Sequence, residues 1–120
     1  MVYNKEGVRM KLLVLVLNKV ECLEKLLKEF VEKDISGATI ISSTGMAHEL
    51  MANDDIGLIG SFRHFLNSQR KENKTLFMVV KEEKIPDVYQ AIERTVGSLD
   101  EPDTGILFTL PIDDLKGFKH

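Results

Sequence analysis

Apolar residues follow two periodicities along this chain, broken by polar punctuation. Leu12 to Leu17 is apolar without alternation, the pattern of a central strand covered on both faces. Val20, Leu23, Leu26, Leu27, Phe30 and Val31 then recur at three- and four-residue steps, which predicts one helix with an apolar stripe. Asn18, with Glu21 three residues on, is a candidate N-cap. Asp34-Ile35-Ser36-Gly37 ends this helix, with Gly37 as the permissive turn residue before a second strand at Ala38 to Ser43. A third strand is predicted at Thr75 to Val80. Pro86 marks the first turn of a second helix that carries Val88, Ile92 and Val96 inward until Gly97 stops it. A turn-rich stretch leads to a last strand, Ile106 to Ile112.

The order strand, helix, strand, loop, strand, helix, strand predicts an α+β, ferredoxin-like βαββαβ domain, a four-stranded antiparallel sheet with two helices on one face. Strands one, three and four are apolar on both faces, and two helices cover only one. The other face is therefore expected to be buried by self-association as a cyclic homo-oligomer. The polar, aperiodic start suggests a flexible leader over residues 1–10, with Met10 as a possible functional start and a single domain over 11–118.

The connection between strands two and three, residues 45–73, is too long for a plain turn and directs attention to function. Met46 to Ala52 has the composition of a short helix. Ser61 can cap another that presents Phe62, Phe65 and Leu66, with His64 beside them, as a surface for a protein partner.

Composition narrows the classes. The chain has 120 residues, room for one core, and 16 basic against 19 acidic residues give a net charge of -3, which argues against a nucleic-acid binder. The single Cys22 forms no internal disulfide and suits a reducing, cytoplasmic setting. The run from Met10 to Leu17 is too short for a signal peptide and no membrane insertion is expected.

Candidate chemistry is sparse. His48, Glu49, Asp54, Asp55 and His64 are side chains a metal uses, but their spacing matches neither a zincin helix nor a calcium loop. His48 and His64 remain weak metal candidates. Ser42, Ser43, Ser61 and Cys22 are nucleophiles by residue type only, outside any nucleophile elbow, so no enzyme activity is expected. Gly45 directly follows strand two and Gly105 precedes strand four. Both are either turn glycines or places where a phosphate-bearing ligand lies against backbone amides, with Arg63 and Lys74 as possible countercharges.

Thr39-Ile40-Ile41-Ser42-Ser43-Thr44-Gly45, the long loop after it, and Thr104-Gly105-Ile106-Leu107-Phe108-Thr109-Leu110-Pro111-Ile112 resemble the PII-like signalling proteins, relatives of the nitrogen regulatory PII proteins. The resemblance runs from Lys11 to about Phe118 in element order. It implies a homotrimer whose inter-subunit clefts bind a small-molecule effector, an adenine nucleotide being the expected class, and whose 45–73 loop contacts a target protein. By that resemblance the ligand-binding candidates are Thr44, Gly45, Met46, Arg63, Asp103, Thr104 and Gly105. The cleft is expected between Gly45 of one subunit and the 97–105 turn of its neighbour. This chain also departs from the family: Ala47 stands at the expected glutamine, and Asp103-Thr104-Gly105-Ile106 replaces the glycine, aspartate, glycine, lysine run. The tail lacks the family's arginines, and Tyr3 and Tyr89 both lie outside the loop. A metal-binding trimer and a ligand-independent docking module are the alternatives.

Overall fold

A computed structural model describes residues 7–52 and 72–118. Four strands form one antiparallel sheet: β1 (Met10–Leu17), β2 (Thr39–Ser43), β3 (Asn73–Lys81) and β4 (Gly105–Pro111), in the spatial order β2-β3-β1-β4. Helix α1 (Leu23–Glu32) links β1 to β2, α2 (Met46–Ala52) follows β2, and α3 (Ile85–Thr95) links β3 to β4. The expected α+β, ferredoxin-like architecture is therefore present, with α2 as a further helix at the root of the long connection.

Registers sort the side chains onto two faces. Leu13 pairs with Met78 and Thr109, and Leu15 with Leu76 and Leu107, so these residues share the helix side of the sheet. There they meet Leu26 and Phe30 of α1 and Val88, Ala91 and Ile92 of α3 in one core. Burying each large aliphatic chain contributes roughly 1.5–3 kcal/mol. The two helices are tied at their surfaces by an ion pair from Arg94 to Glu29 (3.2 Å) and a hydrogen bond donated by Lys33 Nζ to Gln90 (2.7 Å).

The opposite face carries Leu12, Val14 and Val16 of β1 beside Phe77 and Val79 of β3 and Ile106, Phe108 and Leu110 of β4. Val14 is buried between its cross-strand neighbours Phe77 and Phe108. Ile41, Phe77, Ile106, Phe108 and Leu110 are exposed in the single chain, Ile106 to 62%. The two-faced apolar strands of the sequence thus end in one packed face and one open face.

Local details differ from the sequence expectations. Asn18 does not cap α1. Its backbone N–H donates to Thr104 O, and a 3-10 turn over Val20–Cys22 enters the helix without a side-chain cap. Val31 is 71% exposed, because the buried stripe runs through Leu26 and Phe30, with Leu23 and Leu27 packed beside it. Glu29 and Lys33 reach α3, whereas Glu24 and Lys28 pair within α1 at 3.4 Å. Met10, assigned to the leader by sequence, opens β1 fully buried, and Arg9 O accepts a hydrogen bond from Glu82 N.

The end of α1 turns at Asp34 (φ 64°), and Gly37 has no positive φ. Ile35 N–H donates to Phe30 O and Asp34 N–H to Val31 O, a Schellman arrangement whose hydrophobic contact is the buried Ile35. A left-handed non-glycine residue is costly unless it is Asn or Asp. Asp34→Ala is therefore expected to lower stability by about 1 kcal/mol relative to Asp34→Gly, read by urea denaturation; equal midpoints would refute the left-handed turn at this position.

Candidate functional site

The base of the long connection is held by side chains of β2 and β3. Ser43 pairs with Asn73 across the strands, and its hydroxyl donates to the Asn73 side-chain oxygen and lies 2.8 Å from the Thr75 hydroxyl. These residues project on the open face, where they replace the apolar pattern with a polar end. One position along each strand, on the helix side, Lys74 Nζ donates to Ser42 Oγ at 2.7 Å. Directly after β2, Gly45 O accepts the first helical hydrogen bond of α2, from Glu49 N–H at 3.1 Å.

At this polar end lies a cleft of about 380 Å³. Thr44, Gly45, Met46 and His48 form one wall, and Asp103 and Ile106 approach from the turn and strand on the far side. Among the described residues, Asn18, Val16, Ser43, Ala47, Asn73 and Thr75 complete it. The topology explains the meeting. Antiparallel β1 sits between β3 and β4, so the end of β1, the start of β3 and the start of β4 share one edge of the sheet, and β2 delivers its last residues there too.

Asp103 adopts φ 57°, a left-handed conformation uncommon outside glycine. Behind it, Thr104 is buried, and its carbonyl accepts hydrogen bonds from Asn18 N–H (3.0 Å) and Lys19 N–H (3.3 Å). Its hydroxyl donates to Pro102 O at 3.3 Å. Gly105 is a glycine for packing: a Cβ there would stand 2.7 Å from Val16 O. Thr104 and Gly105 thus brace the turn from behind, and Asp103 is the member of this trio that lines the cleft.

The structure therefore brings Thr44, Gly45, Met46, His48 and Asp103 together. It does so within one chain; the expected cleft between Gly45 of one subunit and the 97–105 turn of its neighbour concerns contacts between copies, which a single chain does not contain. Arg63 and the partner-surface residues Phe62, His64, Phe65 and Leu66 lie outside the described residues. Among the described residues no three His, Cys, Asp or Glu side chains gather into a metal site. Sequence reasoning missed Asn18, Ser43, Asn73 and Thr75 as cleft residues. The only trace was that these polar positions interrupt apolar strand patterns or sit at strand ends. A second cleft, of about 250 Å³, lies at the other end of β3 between Ile35, Val79, Lys81 and Phe118, and holds none of the candidates.

By sequence, the chain matches no protein-family model and no curated protein. By structure, it is similar to a protein of unknown function from Pediococcus pentosaceus ATCC 25745, with a TM-score of 0.61, 19% identity, and coverage of 92% of this chain and 99% of that one. It is also similar to Arabidopsis thaliana PII bound to citrate, with a TM-score of 0.58, 13% identity, and coverage of 90% and 81%. The TM-scores establish that the fold is that of PII, and at identities this low they establish the fold alone.

Adding a methyl group at Gly105 forces β1 and β4 apart at the cleft edge. Gly105→Ala is expected to cost about 1–3 kcal/mol in urea denaturation. A variant of unchanged stability would show that β4 can shift away from Val16 O without loss.

Proposed function

We propose that this chain is a PII-like regulatory protein that senses a small ligand, and not an enzyme. It forms a homotrimer through the open sheet face, binds an adenine nucleotide in the cleft at the strand ends, and presents the 45–73 segment to a target protein. The observation that carries this reading is the position of the cleft. It lies at the root of the long connection, on the same face of the sheet that exposes Ile106 and Phe108, so one event there reaches both the loop and a neighbouring copy.

Several features support the reading. Exposed Ile41, Phe77, Ile106, Phe108 and Leu110 form an apolar surface of the kind that soluble proteins bury by association, and closed symmetry buries it in every copy. Asp103 in a left-handed conformation fits a site where local backbone strain is held by its surroundings, here by the Thr104 hydrogen bonds. Thr44, Gly45 and Met46 join β2 directly to α2, so a ligand touching them acts on the first turn of the connection. The PII protein of Arabidopsis was captured with citrate, so a small carboxylate belongs among the trial ligands. Among the described residues no helix is long and apolar enough to cross a membrane. A cytoplasmic location is part of the proposal and suits the free Cys22.

The mechanism is a population shift. A ligand that fits the cleft better when the loop base is ordered favours the ordered state, and partner affinity changes by that difference in binding free energy. Equal affinity for both states would shift nothing.

Two measurements test the parts separately. Light scattering at micromolar concentration is expected to give about three times the 13.6 kDa chain mass, and Phe108→Glu, which places a charge in the open face, is expected to give the single-chain mass. A wild-type monomer would overturn the trimer. A thermal-shift panel of adenine nucleotides, citrate, bicarbonate and divalent metals is expected to respond to an adenine compound, with about 2.7 kcal/mol of added stability at one hundred times its dissociation constant. A response confined to metals would transfer the proposal to the metal-binding alternative, and no response would leave a docking module.

A further inference from the structure

We propose that Asn73 is the residue of the cleft that reads the ligand's ring: its side-chain amide donates a hydrogen bond to a ring nitrogen of the adenine, and Ser43 and Thr75 hold it in that orientation. This rests on the adenine-ligand reading above and names the group that recognises the base.

Three observations carry it. The first is a directed chain of hydrogen bonds. A hydroxyl has one hydrogen to give. Ser43 gives its own to Asn73 Oδ1, so the 2.8 Å contact between Ser43 Oγ and Thr75 Oγ1 is donated by Thr75. The order Thr75 to Ser43 to Asn73 settles which end of the carboxamide is which: the oxygen faces Ser43, and the amide nitrogen is directed away from it. Ser43 closes β2 and Asn73 opens β3, paired across the ladder, so the chain is anchored in the sheet. A donor held by regular structure is in place before a ligand arrives.

The second is where that nitrogen lies. A Cβ built on Gly45 would stand 4.0 Å from Asn73 Nδ2. The donor end therefore faces the loop root, where Gly45 presents bare backbone, and both residues line the cleft.

The third is the surface beside the donor. Thr75 pairs with Val16, and Val16 with Ile106, so these three side chains form one row across β3, β1 and β4 on the open face. Val16 and Ile106 line the cleft together with Asn73. An apolar floor with a fixed donor at its edge suits a flat heterocycle that lies on the floor and offers a ring nitrogen to the donor. A carboxamide N–H on a purine ring nitrogen is a geometry that asparagine commonly adopts with adenine.

The test is calorimetric titration of the full chain with AMP, ADP and ATP, followed by analogues of the tightest-binding of these in which one adenine ring nitrogen is replaced by C–H. One analogue is expected to bind at least about tenfold more weakly than its parent, because the Asn73 donor is left unpaired. Asn73→Asp keeps an oxygen to accept from Ser43 and turns the donor end into an acceptor. It is expected to weaken the parent nucleotide at least about tenfold and to bind parent and analogue alike. Parent and analogue carry the same phosphates, so their ratio is insensitive to the added charge and to a change in folding stability. Ser43→Ala, which frees the carboxamide to turn, is expected to shrink the ratio several-fold. Equal binding of the parent and every analogue by the wild-type chain, or an Asn73→Asp variant that keeps the wild-type ratio, would overturn this inference and leave the adenine-sensor reading standing. An unchanged ratio in Ser43→Ala would overturn the orienting role of Ser43. Failure of AMP, ADP and ATP all to bind would overturn the adenine reading itself, and this inference with it.

Discussion

Burial of β1 from every side is the constraint on which the rest of this structure depends. Its neighbours β3 and β4 satisfy its hydrogen bonds on both edges, and Leu13, Leu15 and Leu17 vanish beneath the two helices. A strand so placed cannot tolerate a polar group on its covered side, since an unpaired polar atom there costs free energy at every position. Its opposite side, Leu12, Val14 and Val16, is equally apolar. Only Val14 is buried within the single chain, in the gap between Phe77 and Phe108. The core is thus complete on one face and unfinished on the other.

The candidate site is a consequence of how that strand ends. Beyond Leu17 the chain must leave the sheet, and the carbonyl of Thr104 receives the two backbone N–H groups released there. This fixes the turn before β4, holds Asp103 in its left-handed conformation, and brings that turn up to the loop root at Thr44 to His48. Gly105 lets β4 come close enough for the contact. The same arrangement that closes the sheet builds one side of the cleft, so stability and site geometry are coupled at a few residues.

How far the sequence could be read depended on the range of the interaction. Periodicity located both long helices and all four strands, because a stripe at three- and four-residue steps or an unbroken apolar run reflects burial that many side chains share. It also marked Met46 to Ala52 as a helix, where α2 stands. It was less reliable where one local contact decides. Asn18 has the residue type of a cap but spends its backbone on Thr104, eighty-odd positions away, and the left-handed residue closing α1 is Asp34 and not the nearby Gly37. Val31 fits the helical stripe and yet is exposed, since the stripe's edge depends on how the helix is rotated over the sheet.

The sequence by itself determined the element order, the covered helix faces and the apolar character of both sides of the sheet, because these follow from local periodicity and composition. It also singled out Gly45 by its place at a strand end, and Thr44, Met46 and Asp103 through the resemblance to PII-like proteins. Only the tertiary structure decided that these residues meet in one chain and share a cleft with Asn18, Ser43, Asn73 and Thr75. It alone set Lys74 Nζ against Ser42 Oγ and Lys19 Nζ against Val96 O. The physical reason is that pairing register and strand order set which side chains face each other, and both are properties of contacts between distant segments that no window of sequence contains.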